Sequence, residues 1–200
     1  MLVAGGVGSR FGGPKHSALL QGRPLWHWGR DALLEGGVED VVLVGDLPGG
    51  INGGPRRRDS VAAGLAAVAG DVDHVLVHDA ARPLASPSLV RRVILRLSQG
   101  DVDGVIPVLP VGDTIKEVSD AFVVATIPRA TLFAAQTPQG FVVSVLRDAH
   151  RVGDDDATDD AALVEAAGGT VAVVEGEPVA MKVTYPEDLA MVAMLLDREA

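Results

Sequence analysis

Cysteine is absent from the 200-residue sequence, which removes disulfides, thiolate nucleophiles and cysteine-ligated metals from consideration. Aromatic residues make up only 4% of the chain, so Val, Leu, Ile and Ala must fill the core. No run approaches the ~20 apolar residues that span a bilayer, and the start MLVAGGVGSR lacks the basic-then-apolar order of a secretory leader. A cytoplasmic protein with no membrane partner is expected. Positive charge is in deficit, with 17 basic against 27 acidic residues and a net charge of −10. A broad nucleic-acid surface needs the opposite balance, so any anion bound here must meet a local cluster of cations. Lysine is scarcest of all, confined to Lys15, Lys116 and Lys182. Each is a compact point charge in a chain whose other cations are planar guanidinium forks.

Hydrophobic residues, in contrast, make up 48% of the chain, enough for one domain spanning 1–200 without covalent staples. Short Val, Ile and Leu runs at 2–4, 40–44, 75–78, 104–107 and 171–174 read as strands. Amphipathic segments near 25–35, 59–69, 87–99, 142–151, 159–167 and 186–197 read as helices. Strands that are apolar throughout, rather than alternating, belong to a sheet covered on both faces. The expected fold is α/β, a single Rossmann-like, doubly wound, mostly parallel sheet. Two regions depart from the alternation. Residues 108–136 hold two β-like runs around "SDA", with no room for a crossover helix, and read as a projecting β-arm that meets a partner. The Gly- and Pro-rich stretch 45–55, GDLPGGINGGP, reads as loop.

In open parallel sheets, anions bind at the carboxyl ends of strands, where amides and helix N-termini point at them. The unusual residues of this chain follow its strands. GGVGSRFGGPK, after the first, fits neither a dinucleotide fingerprint, because Phe11 stands where the third glycine should, nor a Walker loop, because Pro14 and His16 flank Lys15. It reads as a glycine-rich turn bearing two phosphate-binding cations, Arg10 and Lys15, or else as a βα loop with ordinary surface charges. In INGGPRRRDSV, Gly53 and Gly54 admit a flat ligand close to the backbone, and Asp59 or Ser60 can cap the next helix. The three arginines point in different directions, so at most two face one ligand; a solvated basic run is the alternative. VLVHDAARP delivers Asp79 and Arg82 to the sheet edge, where Asp79 meets a sugar hydroxyl or a magnesium ion, or pairs with Arg82 to shape the turn. His78 should pack in the strand, because its side chain alternates away from Asp79. The five carboxylates of DDDATDDA are expected to complement a helix dipole and face water, leaving the hydroxyl of Thr158 for a phosphate. In MKVTYPEDL, Lys182 is expected in a short strand, in need of a partner.

In this order the segments resemble the 2-C-methyl-D-erythritol 4-phosphate cytidylyltransferase family of the non-mevalonate isoprenoid pathway. AGGVGSRFGGPK, GGPRRRDSV, VLVHDAARP, DTIK, QTPQGF, TDDAALVE and KVTYPEDL match over nearly the whole chain. The resemblance implies transfer of a cytidylyl group from CTP to the sugar-alcohol phosphate, with release of pyrophosphate. Ala4, Gly5, Gly6 and Gly8 would contact the triphosphate, while Arg10 and Lys15 would stabilise charge on the α-phosphate. Gly53, Gly54, Ser60 and Ala80 would form the cytosine and ribose pocket. Asp79, Arg82, Thr114, Thr137 and Thr158 would line the acceptor, and Lys182 would orient its phosphate. Arg129, on the arm, would enter the active site of a second subunit, making a homodimer. Mg²⁺ would be carried mainly by the triphosphate, with no protein metal ligand. Against the family pattern the first strand is short, which reflects either a start further upstream or a strand clipped to about three residues. The Arg10-to-Lys15 loop is shorter, and Pro55 stands where the family has an acidic residue. The alternatives are a ribitol-5-phosphate cytidylyltransferase and a catalytically silent nucleotide-binding module.

Overall fold

Val75, Leu76 and Val77 are consecutive and all buried. In a strand, successive side chains face opposite ways, so burying all three requires cover on both sides. Val75 and Val77 belong to one apolar cluster and Leu76 to another, as the continuous apolar run predicts. The computed structural model describes residues 1–4, 11–13, 15–152 and 157–199. In chain order its elements begin with β1 (Leu2–Val3), β2 (Leu19–Leu20), β3 (Arg23–Pro24), α1 (Leu25–Glu35), β4 (Leu43–Val44), α2 (Arg57–Ala67), β5 (His74–Asp79) and α3 (Pro87–Leu97). They continue with β6 (Gly104–Pro110), β7 (Ile115–Ser119), β8 (Phe122–Ile127), β9 (Phe133–Ala135), β10 (Gln139–Val142), α4 (Val143–Val152), α5 (Asp160–Ala166), β11 (Val171–Glu175) and α6 (Pro186–Glu199).

The main sheet has the order β11-β6-β10-β5-β1-β4, with β9 also paired to β6. β1 runs parallel to β4 and β5, and β11 runs parallel to β6. β10 is antiparallel to both β5 and β6, which sets those two in one direction, and β9 is antiparallel to β6. Five strands therefore point one way and two the other. Trp26 and Leu33 of α1 and Val90, Val93 and Leu97 of α3 cover one face. Val61 and Leu65 of α2, Leu146 of α4 and Leu163 of α5 cover the other. This is the doubly wound α/β arrangement expected from the sequence.

β10 and β9 are additions to that expectation. QTPQGF is a polar cluster as sequence, yet Gln139, Gly140 and Phe141 are buried in the middle of the sheet. Gly140 is required because a Cβ there would lie 2.8 Å from Cγ1 of Val93, across the packed face of α3. The arm is β7 paired with β8, turning at Asp120 and Ala121, both with positive φ. Its roots at 108–110 and 133–135 belong to the main sheet as part of β6 and as β9. Val118, Phe122, Val123 and Val124 on the arm are exposed. Lys182 is not in a strand. It lies in an irregular segment between β11 and α6, held beside the turn after β5 by the N–H of Val183 donating to the carbonyl of Ala81 at 2.8 Å.

Candidate active site

β5 ends at Asp79, level with Val3 of the neighbouring β1, so its carboxylate stands at the carboxyl end of both strands. Three groups fix it. Its backbone N–H donates to Oγ1 of Thr137 at 3.1 Å; Oδ1 accepts Nε of Arg57 at 3.0 Å; Oδ2 accepts Nζ of Lys182 at 2.6 Å. Burial alone would raise the carboxyl pKa, but the charges of Arg57 and Lys182 outweigh it and hold the group well below the usual carboxylate range. Asp79 is therefore ionised at neutral pH. Its partners are these two cations. The Asp79–Arg82 pair weighed from the sequence does not form: Arg82 donates through Nη1 to the carbonyl of Ala180 at 2.8 Å and through Nη2 to that of Ala135 at 3.3 Å.

Arg57 was hidden in the RRR run. α2 begins there, with the carboxylate of Asp59 accepting the N–H of Arg56 at 3.2 Å. Successive helical residues are turned by about 100°, so the three guanidinium groups separate as expected. Arg56 folds onto Asp59, Arg58 reaches the carbonyl of His150 at 2.8 Å, and Arg57 points inward. Nη1 of Arg57 donates to Oδ2 of Asp160 at 2.7 Å, so one fork bridges two carboxylates. Burial would weaken its charge, but Asp79 and then Asp160 outweigh that and hold its pKa above the ordinary value. Asp160 also corrects the reading of the acidic run. Asp159 does cap α5, accepting the N–H of Ala162 at 3.0 Å, but Asp160 is buried rather than facing water. Its sequence signal is its spacing from buried Leu163 and Val164, which places it on the same helix face.

The remaining candidates divide by location. Ala4 and Ala80 are both buried at the strand ends; the N–H of Ala80 donates to the carbonyl of Val3 at 3.0 Å. Ser60 is fully buried and its Oγ accepts the N–H of Gly54 at 3.1 Å, propping the loop. A Cβ at Gly53 would lie 2.7 Å from that Oγ, and one at Gly54 2.2 Å from Cβ of Asp59, so local packing already demands both glycines. Thr137 is joined directly to Asp79 and His78. Thr114 and Thr158 are exposed, and Arg129, on the arm side of the molecule, donates to the carbonyl of Gly112. Gly5, Gly6, Gly8 and Arg10 lie outside the described residues. Of Lys15 only the backbone is described, opening a single 3-10 turn, Lys15–Ser17. A cavity of about 440 Å³ beside His74 and Val142 lies at the opposite end of β5. The cation there, Arg147, donates to the carbonyls of Leu65 and Val68.

The profile of the IspD family, 2-C-methyl-D-erythritol 4-phosphate cytidylyltransferase, matches residues 1–198. The chain belongs to the IspD family. A relative from Rhodococcus jostii, named 2-C-methyl-D-erythritol 4-phosphate cytidylyltransferase, is 45% identical over 217 residues and covers all of this chain and 95% of its own. A bifunctional enzyme IspD/IspF from Nitratidesulfovibrio vulgaris is 43% identical over 222 residues. That match takes in 96% of this chain but 56% of the relative, so the chain spans about half the length of such bifunctional relatives. The crystal structure of 2-C-methyl-D-erythritol 4-phosphate cytidylyltransferase from Thermus thermophilus superposes with a TM-score of 0.84 at 36% identity, over 98% of this chain and 97% of that one.

In this IspD family member His78 packs inside the strand, as its alternation requires. The ring is buried and lies against α1, where a Cβ on Gly29 would come within 3.2 Å of it. Oγ1 of Thr137, which accepts the N–H of Asp79, is also hydrogen-bonded to Nδ1 of His78 at 2.9 Å. Burial pushes the His78 pKa down to about 4, more than the charge of Asp79 raises it. The folded protein thus binds fewer protons here than the unfolded chain, so stability is full above the unfolded value of about 6.5 and falls as pH drops from there toward 4. Over that window wild type should lose up to roughly 3 kcal/mol more unfolding free energy than His78→Gln. Urea unfolding curves at half-unit pH steps test this; parallel losses would remove the assignment.

Proposed function

We propose that this chain transfers the cytidylyl group of CTP to 2-C-methyl-D-erythritol 4-phosphate. Family membership over residues 1–198 carries the reading. An oxygen of the acceptor phosphate bonds to the α-phosphorus, the bond from that phosphorus to the bridging oxygen of the β-phosphate breaks, and pyrophosphate leaves with the electron pair. The acceptor phosphate is ionised at neutral pH, so no general base is needed. The obstacle is electrostatic: two polyanions must approach, and charge builds on the equatorial oxygens as they react. Arg10, Lys15, Lys182 and Arg129 of the partner subunit are proposed to offset both, aimed at the transferred phosphorus. Asp79, its charge balanced by two cations, is suited to accepting a sugar hydroxyl without repelling the phosphates.

Both oxygens of Asp79 are already taken by cations. That fits a magnesium ion carried by the triphosphate rather than by protein carboxylates; when bound it would neutralise phosphate charge. Among the described residues no helix is long and apolar enough to cross a membrane, and we place the reaction in the cytoplasm, with its nucleotide substrate. The test is pyrophosphate release with each nucleoside triphosphate against methylerythritol phosphate and ribitol phosphate, with and without magnesium. Release is expected with CTP and methylerythritol phosphate; preference for ribitol phosphate, or no release with any pair, would overturn the proposal.

The exposed apolar strip of the arm and the position of Arg129 two residues past the end of β8 support a homodimer in which Arg129 acts in trans. Mixing inactive Arg129→Ala and Lys15→Ala subunits should then restore about a quarter of wild-type turnover, because half the dimers are mixed and each holds one intact site. No recovery after subunit exchange would exclude action in trans.

A further inference from the structure

We infer that His150 and Asp160, neither of which touches substrate, are positioning residues that set Lys182 through Arg57; the inference rests on the function proposed above. Five side chains from five segments form one file. Nε2 of His150 lies 3.0 Å from Oδ1 of Asp160; Oδ2 of Asp160 takes Nη1 of Arg57 at 2.7 Å; Nε of Arg57 donates to Oδ1 of Asp79 at 3.0 Å; Oδ2 of Asp79 takes Nζ of Lys182 at 2.6 Å. Each carboxylate spends one oxygen on each neighbour, so the links join in series. Side-chain exposure is 5% and 1% for His150 and Asp160, 10% for Asp79, 23% for Arg57 and 39% for Lys182. The file is therefore anchored in the interior on α4 and α5 and opens at the strand ends.

The chemistry of the anchor follows from its surroundings. Nε2 must carry a proton to donate to a carboxylate. Nδ1 is buried with no partner among the described residues, which suits a lone pair better than a second N–H. His150 thus fixes one oxygen of Asp160 and leaves the other for Arg57. An arginine bridging two carboxylates through different nitrogens has its plane set by both. If Asp160 turns, Arg57 is free to pair with Asp79 through both nitrogens, and the oxygen that holds Lys182 is contested. A displacement of about 1 Å in a group that contacts the reacting atoms is enough to lower turnover by up to 10²-fold.

His150→Leu removes the donor while keeping bulk, and His150→Gln keeps an N–H that can reach Asp160. The leucine variant should lower kcat roughly 10-fold with KM for CTP within about twofold, and the glutamine variant should recover most of the loss. Independently of turnover, the Arg57 Nε–H resonance in ¹⁵N-labelled protein should shift and exchange faster with water in His150→Leu and return toward wild type in His150→Gln. Equal kcat in both variants with an unmoved resonance would overturn the inference, as would equal loss in both that follows only a lowered Tm. If the parent protein releases no pyrophosphate, the proposed function fails, and the resonance alone decides whether the file holds Arg57.

Discussion

Alanine in place of Lys182 is expected to lower kcat by about 10²-fold or more, the loss seen when one preorganised donor to a transition state is removed. The midpoint of urea unfolding should move little. The asymmetry follows from the geometry. Lys182 is partly exposed, and removing it leaves the Asp79 carboxylate bonded to Arg57. The folded state therefore keeps a paired carboxylate. What is lost is an ammonium that Asp79 holds ready at the strand ends for the acceptor phosphate. Arginine at this position should rescue poorly, because a planar fork does not replace a compact point charge. A steady-state pyrophosphate assay with kcat within about threefold of wild type would remove Lys182 from the reaction.

Arg57→Ala should differ in its effect on stability, destabilising the fold by about 3 kcal/mol or more as well as lowering turnover. Removing one member of a buried ion cluster leaves desolvated partners short of counter-charge, and Arg57 has two such partners, Asp79, which would keep the partly exposed Lys182, and Asp160, which would keep a hydrogen bond to His150. The pH dependence carries the signature. Arg57 holds the Asp79 carboxyl below its unfolded value, so its stabilisation is present above about pH 4, where the unfolded carboxyl is ionised, and is lost as pH falls toward the folded value. The gap between wild type and Arg57→Ala should be widest near neutrality and narrow below about pH 4. Urea unfolding at pH 7 and pH 3.5 measures it; a gap that does not change would mean the loss is one of packing alone.

The layers of this fold are legible in the sequence because burial on both faces writes itself into a strand as an uninterrupted apolar run, as at Val75 to Val77. β10 leaves no such mark. Its glycine answers to Val93, 47 positions earlier, and its buried Gln139 donates through Nε2 to the carboxylate of Asp159, 20 positions later. Neither requirement is local. In the site, Asp79 could be found because a carboxylate at the end of the run Val75-Leu76-Val77-His78 is conspicuous, and the need of Lys182 for a partner could be foreseen. Which of Arg56, Arg57 and Arg58 would meet Asp79 depends on where α2 begins, and a shift of one residue turns the set by about 100°. Asp160 was obscured by its acidic neighbours, although its three- and four-residue spacing to Leu163 and Val164 marks it.

The antiparallel strand between β5 and β6 also governs the order in which the chain can be completed. Synthesis proceeds from the N-terminus, and by residue 110 both flanking strands exist, each with an edge of unpaired amides and carbonyls. The strand that joins them is not available until residue 142 has emerged. A nascent chain released between those points would carry two apolar open edges, a template for pairing with other chains. Premature termination in this interval should therefore yield aggregates rather than a smaller folded unit, and full-length chains should gain protection from proteolysis in one step once β10 is seated.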